Sequence, residues 1–295
     1  MDLTVIIVNY NSGELIVQAI QAVVNTIKRL DYEIIVADNH SDDDSLEQIE
    51  KHFSDQVHIL RLDENKGFAA ANNCALKVSK GRNILFLNPD TQVLEGAIEM
   101  LSDYLDTHTS VGACGPNLYT PTMQPAFSYW MLRPGIRLEW NGLFSDFFLH
   151  RKYKGSHEHN FTTKVRPVAH IMGAALMVKA SILQQVGPFD EAFFLFYEET
   201  ELCHRIAAAG YELVNIPQAQ VIHAEGQSIN KLNKRSEYMM RSRAIYLRKC
   251  CSPYERCCAN SILYLNSGLR TLWFLITRNT PKYTYWKYIL THIRP

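Results

Sequence analysis

Leu3–Val8 is a short run of apolar and β-branched residues, which predicts a strand buried on both faces. Asn9-Tyr10-Asn11-Ser12-Gly13 reads as a turn, with Ser12 placed to cap the helix that follows. In that helix Leu15, Ala19, Ala22 and Val23 recur at helical spacing. Glu33–Ala37 predicts a second strand, closed by the polar turn Asp38-Asn39-His40-Ser41-Asp42-Asp43-Asp44. Val57–Leu62 predicts a third strand and Phe68–Val78 a helix of small residues. Ile84–Leu87 predicts a fourth strand, ending at Asn88-Pro89-Asp90.

Repeated strand–helix order predicts a mostly parallel sheet with helices on its faces. Right-handed crossovers bring the strand carboxyl ends to one edge, where ligands of open α/β sheets bind. The residues just past those ends are Asn9, Asp38, Asn65-Lys66-Gly67 and Asn88-Pro89-Asp90. One polar loop is ordinary turn chemistry. Four together, two of them carrying Asp38 and Asp90, predict a shared crevice.

The second half is less regular. Residues 117–165 hold prolines, aromatics and glycines without a clear period, and read as a mobile acceptor-side segment. Val168–Lys179 reads as a strand or strand pair with Gly173 at a tight approach. Glu198 to Ala209 reads as a helix, with Leu202, Ile206 and Ala209 at apolar spacing and Gly210 as its stop. Tyr211–Ile216 and Gln220–His223 read as two short strands.

The chain's 295 residues accommodate one large α/β domain with a tail, or two small domains. Lys+Arg and Asp+Glu both number 30, so net charge selects no partner. No stretch predicts a membrane span, because the longest candidate, Ile262 to Ile276, is broken by Asn266, Ser267, Gly268 and Arg270. Residues 1–12 lack the basic segment and long apolar run of a secretory signal, so a cytoplasmic location is expected. Seven cysteines in such a chain are expected to be reduced and to serve as small apolar side chains. The pairs Cys250-Cys251 and Cys257-Cys258 lack the spacing of a zinc knuckle.

Charge distribution says more than net charge. Residues 241–295 carry ten Lys/Arg against one acid, Glu255, with Trp273, Phe274, Tyr283, Tyr285, Trp286 and Tyr288 interleaved. That pattern suits a helix lying on an anionic membrane face. Packing against the catalytic domain or a second copy in a homo-oligomer is the competing reading, and nucleic acid is not expected as a partner.

Several residues carry chemistry. A carboxylate such as Asp90 together with substrate phosphates is a common way to hold magnesium or manganese, and such an ion neutralises charge on a leaving diphosphate. His223 follows a predicted strand, and imidazole is a good manganese ligand. Glu198-Glu199 open a helix, whose dipole favours the ionised carboxylates that a general base requires. Gly67 and the alanines after it start a helix where a phosphate or another backbone can come close.

Taken in order, these segments resemble family 2 of the glycosyltransferases, with its GT-A fold, and most of all its bacterial rhamnosyltransferase-type members. The resemblance rests on Val8-Asn9-Tyr10-Asn11, Asp38-Asn39-His40-Ser41, Asn65-Lys66-Gly67-Phe68-Ala69-Ala70-Ala71-Asn72-Asn73 and Asn88-Pro89-Asp90. It continues through Gly173-Ala174-Ala175-Leu176-Met177-Val178, Gly187-Pro188-Phe189-Asp190-Glu191, Tyr197-Glu198-Glu199-Thr200-Glu201-Leu202-Cys203-His204-Arg205, and His223 with Gly226 and Ser228.

The resemblance implies an α/β GT-A catalytic domain over 1–228, with a nucleotide-sugar-binding half at 1–115 and an acceptor and catalytic half at 116–228. A helical basic-aromatic region occupies 229–295. Asn9 and Asn88 are expected to line the nucleotide pocket, Asp38 to accept a hydrogen bond from the pyrimidine imide, and Gly67 and Asn72 to form its wall. Asp90 is expected to bind a divalent cation, Mg or Mn, with His223 as a second ligand and Glu199 as the base. The family pattern has Glu-Asp and Asp-Leu where this chain has Glu198-Glu199 and Glu201-Leu202, so Glu198 stays a reserve candidate for the base. Arg205 is expected to brace these acids.

The implied activity is inverting, metal-dependent transfer of a sugar to a hydroxyl of a saccharide acceptor. By subfamily resemblance the donor is the nucleoside-diphosphate sugar dTDP-rhamnose. The acceptor is lipid-linked, in bacterial surface polysaccharide synthesis of the O-antigen kind, on the cytoplasmic face of the inner membrane. The alternative is a non-catalytic nucleotide-sugar-binding partner in an assembly complex. A nucleotidyltransferase is disfavoured, because Asn9–Gly13 lacks the basic residues of a triphosphate loop.

Overall fold

A computed structural model describes residues 1–143, 161–224 and 232–293. Gly226, Ser228, Arg294 and the stretch 144–160 of the segment read as mobile lie outside the described residues.

The apolar runs of the first half become adjacent strands. β1 (Leu3–Asn9) pairs in parallel with β2 (Tyr32–Asp38) and β4 (Asn83–Leu87), and β2 pairs in parallel with β3 (Val57–Arg61). The sheet then turns mixed. β10 (Ala175–Lys179) runs antiparallel to β4 and to β6 (Val111–Tyr119). β11 (Glu212–His223) pairs in parallel with β6 and antiparallel with β5 (Thr91–Val93) and β8 (Arg166–Pro167). The strand order is β3-β2-β1-β4-β10-β6-β11-β5, and β7 (Tyr129–Trp130) pairs with β9 (His170–Ile171) in a separate ribbon.

Alternation along β1 feeds two cores. Leu3, Val5 and Ile7 face a layer formed by α1 (Glu14–Thr26), α2 (Ser45–Phe53) and α4 (Ala97–Thr107). Ile6 and Val8 face the opposite layer, with α3 (Phe68–Leu76), α5 (Ala180–Val186) and α6 (Glu198–Ala208). Ala69, Ala71 and Ala75 bring α3 close against the sheet, since a methyl group fills little space.

The structure corrects several readings. Ser12 does not cap α1: the cap residue is Gly13 at φ 53°, and the buried Ser12 hydroxyl has no partner among the described residues. The buried stripe of α1 is Ile16, Ala19, Ile20 and Val23, so Leu15 and Ala22 fall at its margins. The two short strands expected at 211–216 and 220–223 are one strand, β11, whose register shifts between Ile216 and Gln220. Pro217 lies in that shift, where the missing N–H is accommodated by a bulge. Within 168–179, β9 and β10 do not pair with each other; each joins a different sheet. Part of the irregular segment is ordered into β6, β7 and a helical stretch at 136–143. All seven cysteines are free thiols; Cys114 and Cys203 are buried, Cys250 and Cys251 pack partly buried against the core of Phe193, Tyr246 and Leu247, and Cys257 is exposed.

Beyond the sheet, α7 (Leu232–Cys250), α8 (Pro253–Ile276) and α9 (Thr280–Thr291) pack together. Tyr246 and Leu247 of α7 join Phe193 in a small core of their own, and Leu263 of α8 meets Met240 and Ile289 in another. Ser252 caps α8 by accepting a hydrogen bond from the Glu255 amide, with Pro253 in the first turn.

Gly67 has φ +86°, and a Cβ there would lie 2.4 Å from the Phe194 carbonyl oxygen. Gly210 has φ +90° with open space around it. Gly67→Ala is expected to cost about 2–4 kcal/mol of unfolding free energy, from strain plus overlap. Gly210→Ala is expected to cost only about 1 kcal/mol, from backbone strain alone. Urea unfolding of the two variants checks this, and equal losses would contradict the close approach at Gly67.

Candidate active site

The carboxyl ends of β1, β2 and β4 deliver the expected loops to one edge. Asn9 closes β1 with its amide nitrogen donating to Asp38 Oδ1 at 2.8 Å and Ser45 Oγ at 2.7 Å. Asp38 Oδ2 accepts from the Ser41 amide at 3.2 Å. Asp38 is only 3% exposed, and each of its oxygens keeps a lone pair for a further donor. Asn39 then ties the next loop in, donating to Asn65 Oδ1 at 2.9 Å and accepting from the Lys66 amide at 2.9 Å. The mainly polar loops are thus wired to one another before any ligand arrives.

Asp90 and His223 meet. The His223 Nε2 to Asp90 Oδ1 distance is 3.3 Å, and the Ala224 amide donates to the Asp90 carbonyl at 2.9 Å. β5 and β11 run antiparallel, with Thr91 opposite His223, and that register places the pair. Asp90 is 8% exposed and borders a cleft lined by Leu15, Gln18, Thr91, Gln92, Ile222 and Ala224. Apart from Asp90, the sequence reading had not singled out these lining residues for a site; Thr91 and Gln92 sit on the short strand β5, which carries no periodic signal.

The acid pair reaches the same edge from far along the chain. Gly173 leaves room for Glu199: a Cβ at Gly173 would lie 3.4 Å from Glu199 Cγ and 3.6 Å from its Cβ and Cδ. The neighbouring Ala174 carbonyl accepts from the Asn88 amide at 2.9 Å. Glu199 therefore lies across Gly173, one residue from Ala174, whose carbonyl holds the Asn88-Pro89-Asp90 turn. Asn88 is half-buried there, with its carbonyl accepting from Thr91 Oγ1 at 2.7 Å.

Asn73 holds this arrangement together. Its amide donates to the Phe189 carbonyl at 2.8 Å and to Glu191 Oε1 at 2.9 Å, and its carbonyl accepts from the Phe189 amide at 3.0 Å. The Phe68 amide donates to the Phe194 carbonyl at 2.7 Å. The signal for this clasp was present in the Asn72-Asn73 doublet, but the sequence reading chose Asn72. Asn72 donates to the Phe68 carbonyl of its own helix at 2.9 Å and is buried.

Backbone strain collects at this edge. Six non-glycine residues among those described have positive φ, and Asn11, His40, Phe196 and Tyr197 lie in its loops. Phe196 and Tyr197 are consecutive bulky residues at φ 67° and 70°, directly before Glu198.

Charge departs from expectation. The dipole at the start of α6 was expected to keep Glu198 and Glu199 ionised. Instead burial pushes Glu199 up to about 7, and burial with the neighbouring Glu199 charge holds Glu198 well above the usual carboxylate range. Desolvation outweighs the dipole because, among the described residues, no cation pairs with either acid and Glu198 Oε2 has no partner. Arg205 braces a different acid, with Nε 2.8 Å and 2.9 Å from the two oxygens of Glu201 and further bonds to the carbonyls of Val186, Gly187 and Pro188.

The glycosyl transferase family 2 profile matches residues 4–187. The chain belongs to that family. This glycosyltransferase is 29% identical over 251 residues to the low-salt glycan biosynthesis hexosyltransferase Agl10 of Haloferax volcanii, covering 81% of this chain and 72% of the relative. It is 26% identical to the N-acetylglucosaminyl-diphospho-decaprenol L-rhamnosyltransferase of Mycobacterium tuberculosis, covering 67% of this chain and 68% of that one. Its fold superposes on the mannosyltransferase of Pyrobaculum calidifontis, solved with GDP-Man and Mn2+, with a TM-score of 0.61 at 17% identity over 98% of this chain and 84% of the other. The fold is GT-A and the enzyme is a hexosyltransferase.

Because Asn73 is buried and makes three hydrogen bonds across 116 to 118 residues, Asn73→Ala is expected to cost about 2–4 kcal/mol. Activity is expected to fall further than the population of folded protein accounts for. Circular dichroism melting alongside transfer assays checks both, and a stable, fully active variant would remove the clasp from the account.

Proposed function

We propose that this glycosyltransferase moves L-rhamnose from dTDP-rhamnose to a hydroxyl of a lipid-linked saccharide, with inversion, in the assembly of a surface polysaccharide. The observation that carries the reading is the contact of Asp90 with His223, with Glu199 packed against Gly173, whose neighbour Ala174 accepts the Asn88 amide. The Mycobacterium tuberculosis relative is named for an L-rhamnosyl transfer to a diphospho-decaprenol saccharide, which supports the donor sugar and the acceptor class. A non-catalytic donor-binding role is disfavoured because the aspartate and both acids are present, with Asp90 and Glu198 buried and Glu199 half-buried. We divide the chain between 228 and 229, with donor loops in 1–115, the base in 116–228 and surface attachment in 229–295.

Asp90 and His223 fit a divalent cation. A carboxylate and an imidazole in contact, with no Lys or Arg paired to Asp90 among the described residues, form a donor set to which diphosphate oxygens and water can be added. Bound there, magnesium or manganese would neutralise charge on the departing diphosphate. The neighbouring protein groups do the rest. Asn9 and Asn88 line the nucleotide pocket, and Asp38 accepts a hydrogen bond from the base imide. Gly67 and Asn72 shape the wall beneath the ribose rather than touch it. Glu199 takes the proton of the acceptor hydroxyl as that oxygen attacks the anomeric carbon. The bond from that carbon to the diphosphate oxygen breaks on the opposite face.

A base held at about 7 must lose its proton before it can act. Activity therefore falls as pH drops below about 7, and kcat/KM is expected to level off above it. A limb at the ordinary glutamate value of 4.5 would contradict the assignment. Glu199→Gln is expected to lower kcat by about 10²–10⁴-fold while leaving nucleotide affinity unchanged; full turnover would move the base to Glu198. Stability carries the same signature. Between the unfolded value near 4.5 and the folded value near 7 the native state holds the extra proton, so raising pH costs stability. Glu199→Gln is expected to raise Tm at pH 8 by roughly 4–6 °C and to leave it unchanged at pH 4.

Asp90→Ala is expected to abolish transfer and any response to added metal, whereas Asp38→Ala is expected to weaken binding of dTDP alone. A donor panel of nucleotide sugars with Mg2+ or Mn2+, scored for binding and slow hydrolysis, tests the sugar. Saturation by dTDP-rhamnose supports the reading, and selective use of another nucleotide sugar overturns it.

A further inference from the structure

Helix α8 carries an exposed apolar stripe that no other element among the described residues covers. Leu265, Leu269, Leu272 and Ile276 recur every three or four positions and so share one face. They are 53%, 53%, 56% and 67% exposed, and Trp273 beside them is 59% exposed. The inward face is different, with Ala259, Ile262, Leu263, Asn266 and Ser267 buried. Arg270 lies off the stripe, bonded to Asn266 Oδ1 at 2.7 Å and to the Gly142 carbonyl at 3.1 Å. Contiguous exposed apolar surface of this kind marks an interaction site.

The charge around the stripe selects its occupant. Residues 256–293 contain Arg256, Arg270, Arg278, Lys282 and Lys287 and no Asp or Glu. Arg278 and Lys282 are exposed where α8 gives way to α9, just past Ile276. A second copy laid face to face would meet the same apolar stripe and the same cations, with no acid to offset them. No helix among the described residues is long and apolar enough to cross a membrane, so α8 would lie along a surface rather than span it.

We infer that this face of α8 rests on an anionic lipid surface. Leu265, Leu269, Leu272, Trp273 and Ile276 enter the region below the headgroups, and Arg278 and Lys282 pair with lipid phosphates. The inference narrows the proposed surface attachment to one face and one lipid charge. It rests on the surface of α8 and not on the donor or acceptor reading, so its test is independent of sugar transfer.

The test is flotation of the full chain with phosphatidylcholine vesicles, with and without phosphatidylglycerol. The chain is expected to float with the anionic vesicles and to bind them about tenfold or more tightly than the neutral ones, with the difference reduced in high salt. Joint replacement Leu269→Glu and Leu272→Glu is expected to lower that binding by about tenfold or more, with Tm unchanged. As a second readout, tryptophan emission is expected to shift to the blue on anionic vesicles, and Trp273→Phe to lose the shift. A chain that stays unbound with both vesicles, or a double variant that binds as tightly as the parent, overturns the proposal. So does a parent dimer in sedimentation velocity that the double variant converts to monomer.

Discussion

The site depends on one contact across the fold, the side chain of Asn73 bonded to the backbone of Phe189 on both its N–H and its C=O. Helix α3 is seated on the sheet by three alanines, so it moves only with β1 and β2. The clasp passes that rigidity to the segment leading into α6. The Phe68 to Phe194 hydrogen bond repeats the tie one turn away, at a point where Gly67 alone permits the approach. Buried hydrogen bonds of this kind are costly to leave unmade, which gives the arrangement its single geometry. The two strained residues Phe196 and Tyr197 follow immediately and lead into the acids at the start of α6.

Electrostatics then separates acids that look alike in sequence. Glu198, Glu199 and Glu201 all fall in the first turn of α6. Glu201 receives Arg205, which is itself anchored by three carbonyls. The other two have no cation paired to them among the described residues, so burial raises both, and only one can be easily ionised near neutral pH. An acid made basic by desolvation suits proton removal from a sugar hydroxyl at physiological pH. The family's Asp in this place would be one methylene shorter; here Gly173 provides the space for the longer Glu199.

Legibility followed the range of the forces involved. β1 to β4 were readable because buried parallel strands are written as apolar runs, and the loops after them were readable as polar punctuation. Helix α4, with Ala97, Ile98, Leu101 and Leu105 in its buried stripe, lies in residues 91–116, where no element is predicted from the sequence. Pro217 split β11 in the reading, since a bulge that tolerates proline needs a partner strand to be seen. The meeting of Asp90 with His223 followed from the resemblance and from no local pattern, because it depends on the pairing of β5 with β11. The protonation of the acid pair was misread for a related reason: the helix dipole is local and visible in sequence, whereas desolvation is a property of the assembled fold.

The central claim is that Asp90 and His223 hold one ion against the diphosphate of the donor. Pulsed electron paramagnetic resonance of Mn2+ bound with dTDP addresses it directly, since it reads the nuclei around the ion. The account predicts phosphorus couplings together with an imidazole nitrogen coupling in the same spectrum, the nitrogen signal disappearing in His223→Ala. Manganese that shows phosphorus but no imidazole nitrogen in the intact chain, or a nitrogen signal that survives the substitution, would contradict it.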